Sequence, residues 1–148
     1  MSASLYCTVP SHLPINMRRA PVTKQTSVRI VIVDDHETLR RTLSLYLEQY
    51  EQFELVGEAS SGREALEVCA RAEPDVVLMD ILMPDMDGIA ATRAIRRQHP
   101  HVQVIGMTGM EHERLRQSAL QAGVAKFLYK GALDDSLAPA IREAAGQT

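Results

Sequence analysis

Short β-branched runs alternate five times with stretches of helical periodicity, and this constrains the fold more than any other feature of the chain. VRIVIV (Val28 to Val33) is apolar almost throughout, as expected of a strand covered on both faces. DVVLM (Asp75 to Met79), VQVIGM (Val102 to Met107) and KFLY (Lys126 to Tyr129) have the same character. FELVGEA (Phe53 to Ala59) is more polar and carries Glu54, which suits an edge strand. Between the runs, Leu39, Leu43, Tyr46, Leu47 and Tyr50 mark a first helix at spacings of three and four. Ala65, Leu66, Cys69 and Ala72 mark a second, with Ser60, Ser61 and Gly62 as candidate caps. A third follows Asp87 as N-cap and stops at His99-Pro100. The fourth, Glu111 to Gln121, has a thin apolar stripe and ends at Gly123, while Leu133, Leu137, Ala140, Ile141 and Ala144 define the fifth. Pro139 predicts a kink or a late start in that last helix.

Five βα repeats imply a parallel sheet sandwiched between helices. Right-handed crossovers leave few topologies, and the expected one is the flavodoxin-like, doubly wound α/β order 2-1-3-4-5. The 148 residues suffice for one domain, and an apolar content of 45% with only 4% aromatics calls for an aliphatic core. Residues 1–27 contain three prolines, no Asp or Glu and no periodicity; they are expected to form a flexible leader outside a domain spanning 28–148. A net charge of −3 with both signs scattered gives no basic stripe for nucleic acid. No apolar run is long enough for a membrane span, and nothing signals export, so a cytoplasmic location is expected. Cys7 and Cys69 are too few for a disulfide framework or a zinc site, and Cys69 reads as a small buried hydrophobe.

In an open α/β sheet, ligands bind beyond the carboxyl ends of the strands where the strand order reverses. There the first strand ends in Asp34-Asp35 and the third in Asp80, three carboxylates that resist full ionisation together unless a cation accompanies them. A hard divalent ion, Mg2+ or Mn2+, suits such oxygen ligands. The fourth and fifth strands end in Thr108 and Lys130. Carboxylates, metal, hydroxyl and amine on one edge describe a phosphoryl-transfer site. Singly, each residue has a plainer reading: an N-cap or turn Asp, a β-prone Thr, a solvated Lys.

The motifs IVDDH (Ile32 to His36), VLMDILMPDMDG (Val77 to Gly88), GMTG (Gly106 to Gly109) and FLYKG (Phe127 to Gly131) resemble the response-regulator receiver family of two-component signalling, over Val28 to Ala145. The resemblance implies that Asp80 is the phosphoacceptor, fed by a sensor histidine kinase, a phosphotransfer protein or a small acyl phosphate. It implies Mg2+ ligation by Asp35 and Asp80, by Asp34 directly or through water, and by the Leu82 main-chain carbonyl. Lys130 would contact the phosphoryl oxygens, and Thr108 would be the switch hydroxyl. Phe127 occupies the family's aromatic switch position, with a plain core aromatic as the alternative. Gly109 would leave the phosphoryl pocket open, and Leu82 and Met110 would line access to it, their apolar bulk slowing attack by water. Gly88 fits a close-packed start to the third helix, and Asp85 and Asp87 are expected in loop and cap roles.

Gly131 replaces the family's commoner proline, and the Lys-Gly pair and DDH start are similar to the LuxR-type branch. That branch carries a helix-turn-helix output domain, so DNA is expected only through a region outside this chain. A stand-alone receiver and the receiver fragment of a longer transcription regulator are both open. A homodimer through the fourth helix, fifth strand and fifth helix is a family expectation. The chain is read as a signalling phosphoacceptor that catalyses its own phosphorylation, not as an enzyme. A haloacid-dehalogenase-like hydrolase would need an Asp-x-Asp pair on the first strand, where the aspartates here are adjacent. A pseudo-receiver is opposed by the intact Asp34, Asp35, Asp80, Thr108 and Lys130 set.

Overall fold

A computed structural model describes residues 27–84, 87–110 and 112–146. The expected leader, apart from Ser27, lies outside the described residues, as do Asp85 and Glu111. Five strands, β1 (Val28–Val33), β2 (Phe53–Ala59), β3 (Val76–Asp80), β4 (Gln103–Thr108) and β5 (Lys126–Tyr129), alternate with five α-helices. These are α1 (Glu37–Glu48), α2 (Gly62–Ala72), α3 (Gly88–Gln98), α4 (Glu113–Ala122) and α5 (Leu133–Ala144). A 3-10 turn, Lys130–Ala132, leads into α5. The strands are parallel in the order β2-β1-β3-β4-β5, the expected flavodoxin-like topology.

Side-chain alternation splits the aliphatic core between the two faces of the sheet. Val31, Val33, Val77, Met79 and Val104 pack under α2, α3 and α4 with Ala65, Val68, Cys69 and Ile95. Ile30, Ile32, Leu78, Ile105 and Met107 face α1 and α5, meeting Leu43, Leu47, Leu137 and Ile141. Each fully buried Ile, Leu or Met contributes on the order of 1.5–3 kcal/mol, so the central strands β1, β3 and β4 anchor the domain. Cys69 is fully buried, as its place on the helical stripe requires.

Local chemistry sets the helix ends. The Ser61 hydroxyl accepts from Glu64 N (3.1 Å), and the Glu64 carboxylate accepts in return from Ser60 N (2.7 Å), giving α2 a reciprocal N-terminal cap. Asp87 caps α3 through Ala90 N at 2.8 Å. Gly123, at φ 112, ends α4 in the left-handed conformation that glycine adopts without strain.

Four expectations change. Helix α4 begins at Glu113 behind His112 rather than at Glu111. Tyr50 lies just past α1, where its N–H still reaches Leu47 O. KFLY is not covered on both faces: β5 is the second edge strand, and its residues are half-buried to exposed beside the sparse stripe of α4. Helix α5 starts six residues before Pro139, not late. Asp135 and Pro139 sit on its exposed side, so the carbonyl that proline leaves without a donor can be hydrated. One turn away, the Tyr46 hydroxyl accepts from Ala138 N (3.2 Å) and donates to Asp134 O (3.3 Å), tying α1 to this part of α5.

Candidate functional site

The pairing of Val33 with Met79 carries Asp34 and Asp80 side by side off the ends of β1 and β3. Asp80 pairs with Met107, which brings Thr108 to the same edge from β4. Lys130 follows β5 and reaches across: its Nζ lies 2.8 Å from Asp34 Oδ2 and 3.4 Å from Asp80 Oδ1. Asp34 is fully buried and Asp80 only 2% exposed, an unusual burial for carboxylates. Asp34 Oδ1 accepts from His36 N at 2.8 Å, with His36 Nδ1 3.1 Å away. Asp80 Oδ1 accepts from Leu82 N at 3.2 Å, and the Thr108 hydroxyl oxygen accepts from Met110 N at 3.1 Å.

One ammonium does not balance three carboxylates. Burial and then the Asp34 charge push the Asp80 carboxyl up to about 6, against the smaller opposing pull of Lys130 and the Leu82 N–H. Asp35 Oδ1 is buried with no hydrogen-bond partner; His36 Nδ1, at 3.3 Å, is close but misaligned. Ligand atoms of Asp34, Asp35, His36 and Asp80 all lie within 4.8 Å of one another. Excess negative charge, an orphaned buried oxygen and a tight oxygen-rich set together fit a divalent cation.

Backbone packing fixes this geometry from below. Gly88 N donates to Ile81 O at 2.9 Å, and a Cβ on Gly88 would stand 2.2 Å from Asp80 O and 2.6 Å from Ile81 Cα. The loop after β3 therefore closes onto the start of α3 only with glycine there, as the close-packed start expected from the sequence requires. Asp87 is a cap, as expected. From the α1 side, Arg40 Nη1 donates to Asp34 O (2.8 Å) while its Nε meets Glu58 Oε1 (3.1 Å).

Thr108 and Phe127 share a cleft of about 370 Å3 beside α4, completed by His112, Glu113, Arg116 and Tyr129. Phe127 is half-buried and packs on the core under α4. The Tyr129 ring lies over Gly131, where a Cβ would come within 2.5 Å of it. Leu82 and Met110 are exposed (45% and 55%) and line a shallow apolar cleft with Leu115. A Cβ on Gly109 would meet nothing within 4 Å, so space is open there.

The structure thus brings Asp34, Asp35, Asp80, Thr108 and Lys130 to one edge and puts Leu82, Gly109 and Met110 on flanking loops. Sequence reasoning missed His36, Arg40 and Tyr129. His36 directly follows the aspartate pair and Arg40 lies one helical turn further on, a placement that was itself a signal.

The chain belongs to the response-regulator receiver family: the family model for the response regulator receiver domain matches residues 30–142. It is 37% identical over 117 residues to the response regulator protein VraR of Staphylococcus aureus, covering 79% of this chain and 56% of that protein. It therefore spans about half the length of the curated relatives it matches. The signal receiver domain of NarL from Mycobacterium tuberculosis superimposes with a TM-score of 0.79 at 31% identity, covering 84% of this chain and all of that one. A LuxR-family two-component response regulator from Aurantimonas sp. SI85-9A1 gives 0.77 at 29% identity, over 82% and 88% of the two chains. Among the described residues no helix is long and apolar enough to cross a membrane.

Proposed function

We propose that Asp80 accepts a phosphoryl group from the phosphohistidine of a sensor kinase or phosphotransfer protein, or from a small acyl phosphate, and that the aspartyl phosphate switches an output. The observation that carries this reading is the Lys130 ammonium bridging Asp34 and Asp80 on the edge that also presents Thr108. Asp34, Asp35, Asp80 and the Leu82 carbonyl would hold Mg2+ or Mn2+, which supplies positive charge against the carboxylates and the phosphoryl oxygens. An Asp80 carboxylate oxygen attacks phosphorus and forms an O–P bond. The P–N bond to the donor imidazole breaks, and its electron pair returns to the ring nitrogen. Lys130, already 3.4 Å from Asp80 Oδ1, exchanges that contact for a phosphoryl oxygen.

The Thr108 oxygen accepts from Met110 N, which leaves its proton free to donate to the same group. Drawing Thr108 inward changes the cleft it shares with Phe127, so rotation of that ring is the readout on the surface of α4, β5 and α5. Leu82 and Met110 shield the aspartyl phosphate from water with their apolar side chains. The chain acts as a signalling phosphoacceptor, and a longer regulator of LuxR type would convert the switch into control of transcription.

Incubation with Mg2+ and acetyl phosphate, followed by intact-mass measurement, tests this reading. A single phosphate adduct that disappears in Asp80→Asn is the expected result. Multiple turnover without an adduct would identify a hydrolase instead. No adduct from acetyl phosphate or from phosphohistidine donors would mean a receiver that has lost its chemistry.

A further inference from the structure

His36 stands out from the other residues around the acidic pocket because it offers a nitrogen donor where the rest of the set is oxygen. Its Nδ1 lies 3.1 Å from Asp34 Oδ1 and 3.3 Å from Asp35 Oδ1, facing the two carboxylates of β1 together. Adjacent ligands on an octahedral ion with bonds of roughly 2.1 Å are separated by about 3 Å, so both spacings fit neighbouring positions on one ion. The side chain is 70% exposed and makes no N-cap bond to α1, so turning the ring toward an ion gives up little packing, its contact with Asp34 Oδ1 being the one exchanged. Asp35 Oδ1, 3.3 Å from this ring nitrogen, is buried and has no hydrogen-bond partner.

We infer that His36 Nδ1 is a ligand position of the cation pocket, and that it gives this chain a preference for borderline divalent ions such as Co2+ or Ni2+ over Mg2+. The inference rests on the proposed reading of the pocket as a cation site. The physical reason is ligand hardness. Mg2+ binds oxygen and sheds water reluctantly, so an imidazole beside it adds little. Later first-row ions bind imidazole well, whereas carboxylate, carbonyl and water ligands suit Mg2+. In this pocket a single neutral nitrogen joins a set that otherwise ranks hard ions favourably. Its presence or absence then decides how far the selectivity leans toward the transition ions.

The test uses the full chain. Dissociation constants for Co2+ and for Mg2+ are measured by calorimetry for the wild type, His36→Ala and Asp80→Asn, with Mg2+ competition used to isolate the shared site. Proton NMR of the Co2+ form shows whether an imidazole at that site carries strongly shifted ring signals. The expected result is a Co2+:Mg2+ affinity ratio that falls at least about tenfold in His36→Ala, together with loss of one set of shifted imidazole signals. An unchanged ratio, or identical shifted signals in wild type and His36→Ala, overturns the assignment of His36. If Mg2+ binding is present and is lost in Asp80→Asn, such a failure concerns His36 alone. If neither ion binds the wild type at a site sensitive to Asp80→Asn, the reading of the pocket as a cation site falls with it.

Discussion

Replacing Asp80 by asparagine is expected to stabilise the metal-free protein even as it removes the proposed phosphoacceptor. Asp80 is 2% exposed, and burial together with the neighbouring Asp34 charge raises its carboxyl from 3.8 to about 6. Folded Asp80 therefore holds its proton more tightly than the unfolded chain does, and between those two pH values the folded state binds more protons. Its favourable contribution is complete below 3.8 and is lost as pH rises through about 6. Above that, ionised Asp80 costs about 3 kcal/mol relative to its neutral form. Asparagine keeps the shape of the neutral acid and cannot ionise, so Asp80→Asn recovers most of that cost at neutral pH. Urea denaturation in EDTA, followed by far-UV circular dichroism from pH 4 to pH 8, measures it. The variant's advantage is expected to be near zero at the acid end and to grow through pH 6 to about 2–3 kcal/mol. A difference independent of pH, or a variant less stable than wild type at pH 7.5, would refute the electrostatic reasoning. Added Mg2+ should close the gap by stabilising only the wild type, by about 2.7 kcal/mol at one hundred times its dissociation constant.

Gly88→Ala would drive a Cβ to within 2.2 Å of the Asp80 carbonyl, a backbone atom that cannot yield cheaply. A loss of about 2–4 kcal/mol in urea denaturation is expected, with weakened Mg2+ binding as the loop shifts. Tyr46→Phe removes the hydroxyl shared with Ala138 N and Asp134 O, and should cost about 1–2 kcal/mol in the same assay while leaving the proposed phosphorylation of Asp80 intact. Leu82→Asn places an amide beside the proposed phosphoryl site; decay of the adduct, followed by intact mass, should quicken severalfold, and an unchanged rate would remove Leu82 from access control.

The fold was legible from the sequence because its strongest signals are local. β-Branched runs such as Val28 to Val33 and helical stripes such as Ala65, Leu66, Cys69 and Ala72 follow backbone periods of two and 3.6, which a linear chain displays directly. The caps Ser61 and Asp87 were legible for the same reason, since each bonds an N–H three residues away. What failed depended on neighbours distant in the chain. KFLY looks like a strand covered on both faces until the sparse stripe of α4 leaves it half-buried to exposed, and Pro139 looks disruptive until Asp135, one turn earlier, proves to lie with it on the exposed side of α5.

The sequence by itself determined that three carboxylates, a threonine and a lysine sit at the ends of strands β1, β3, β4 and β5. Only the tertiary structure decided what they do to one another. The register of β1 against β3 buries Asp34 and Asp80 together, and Lys130, 96 residues after Asp34, closes over both. Burial, and then the Asp34 charge, raises the Asp80 carboxyl, while beside it Asp35 Oδ1 is buried without a hydrogen-bond partner and His36 Nδ1 lies 3.1 Å from Asp34 Oδ1 and 3.3 Å from Asp35 Oδ1. Charge interactions act through space and depend on burial, and neither distance nor burial is written in the order of residues along the chain.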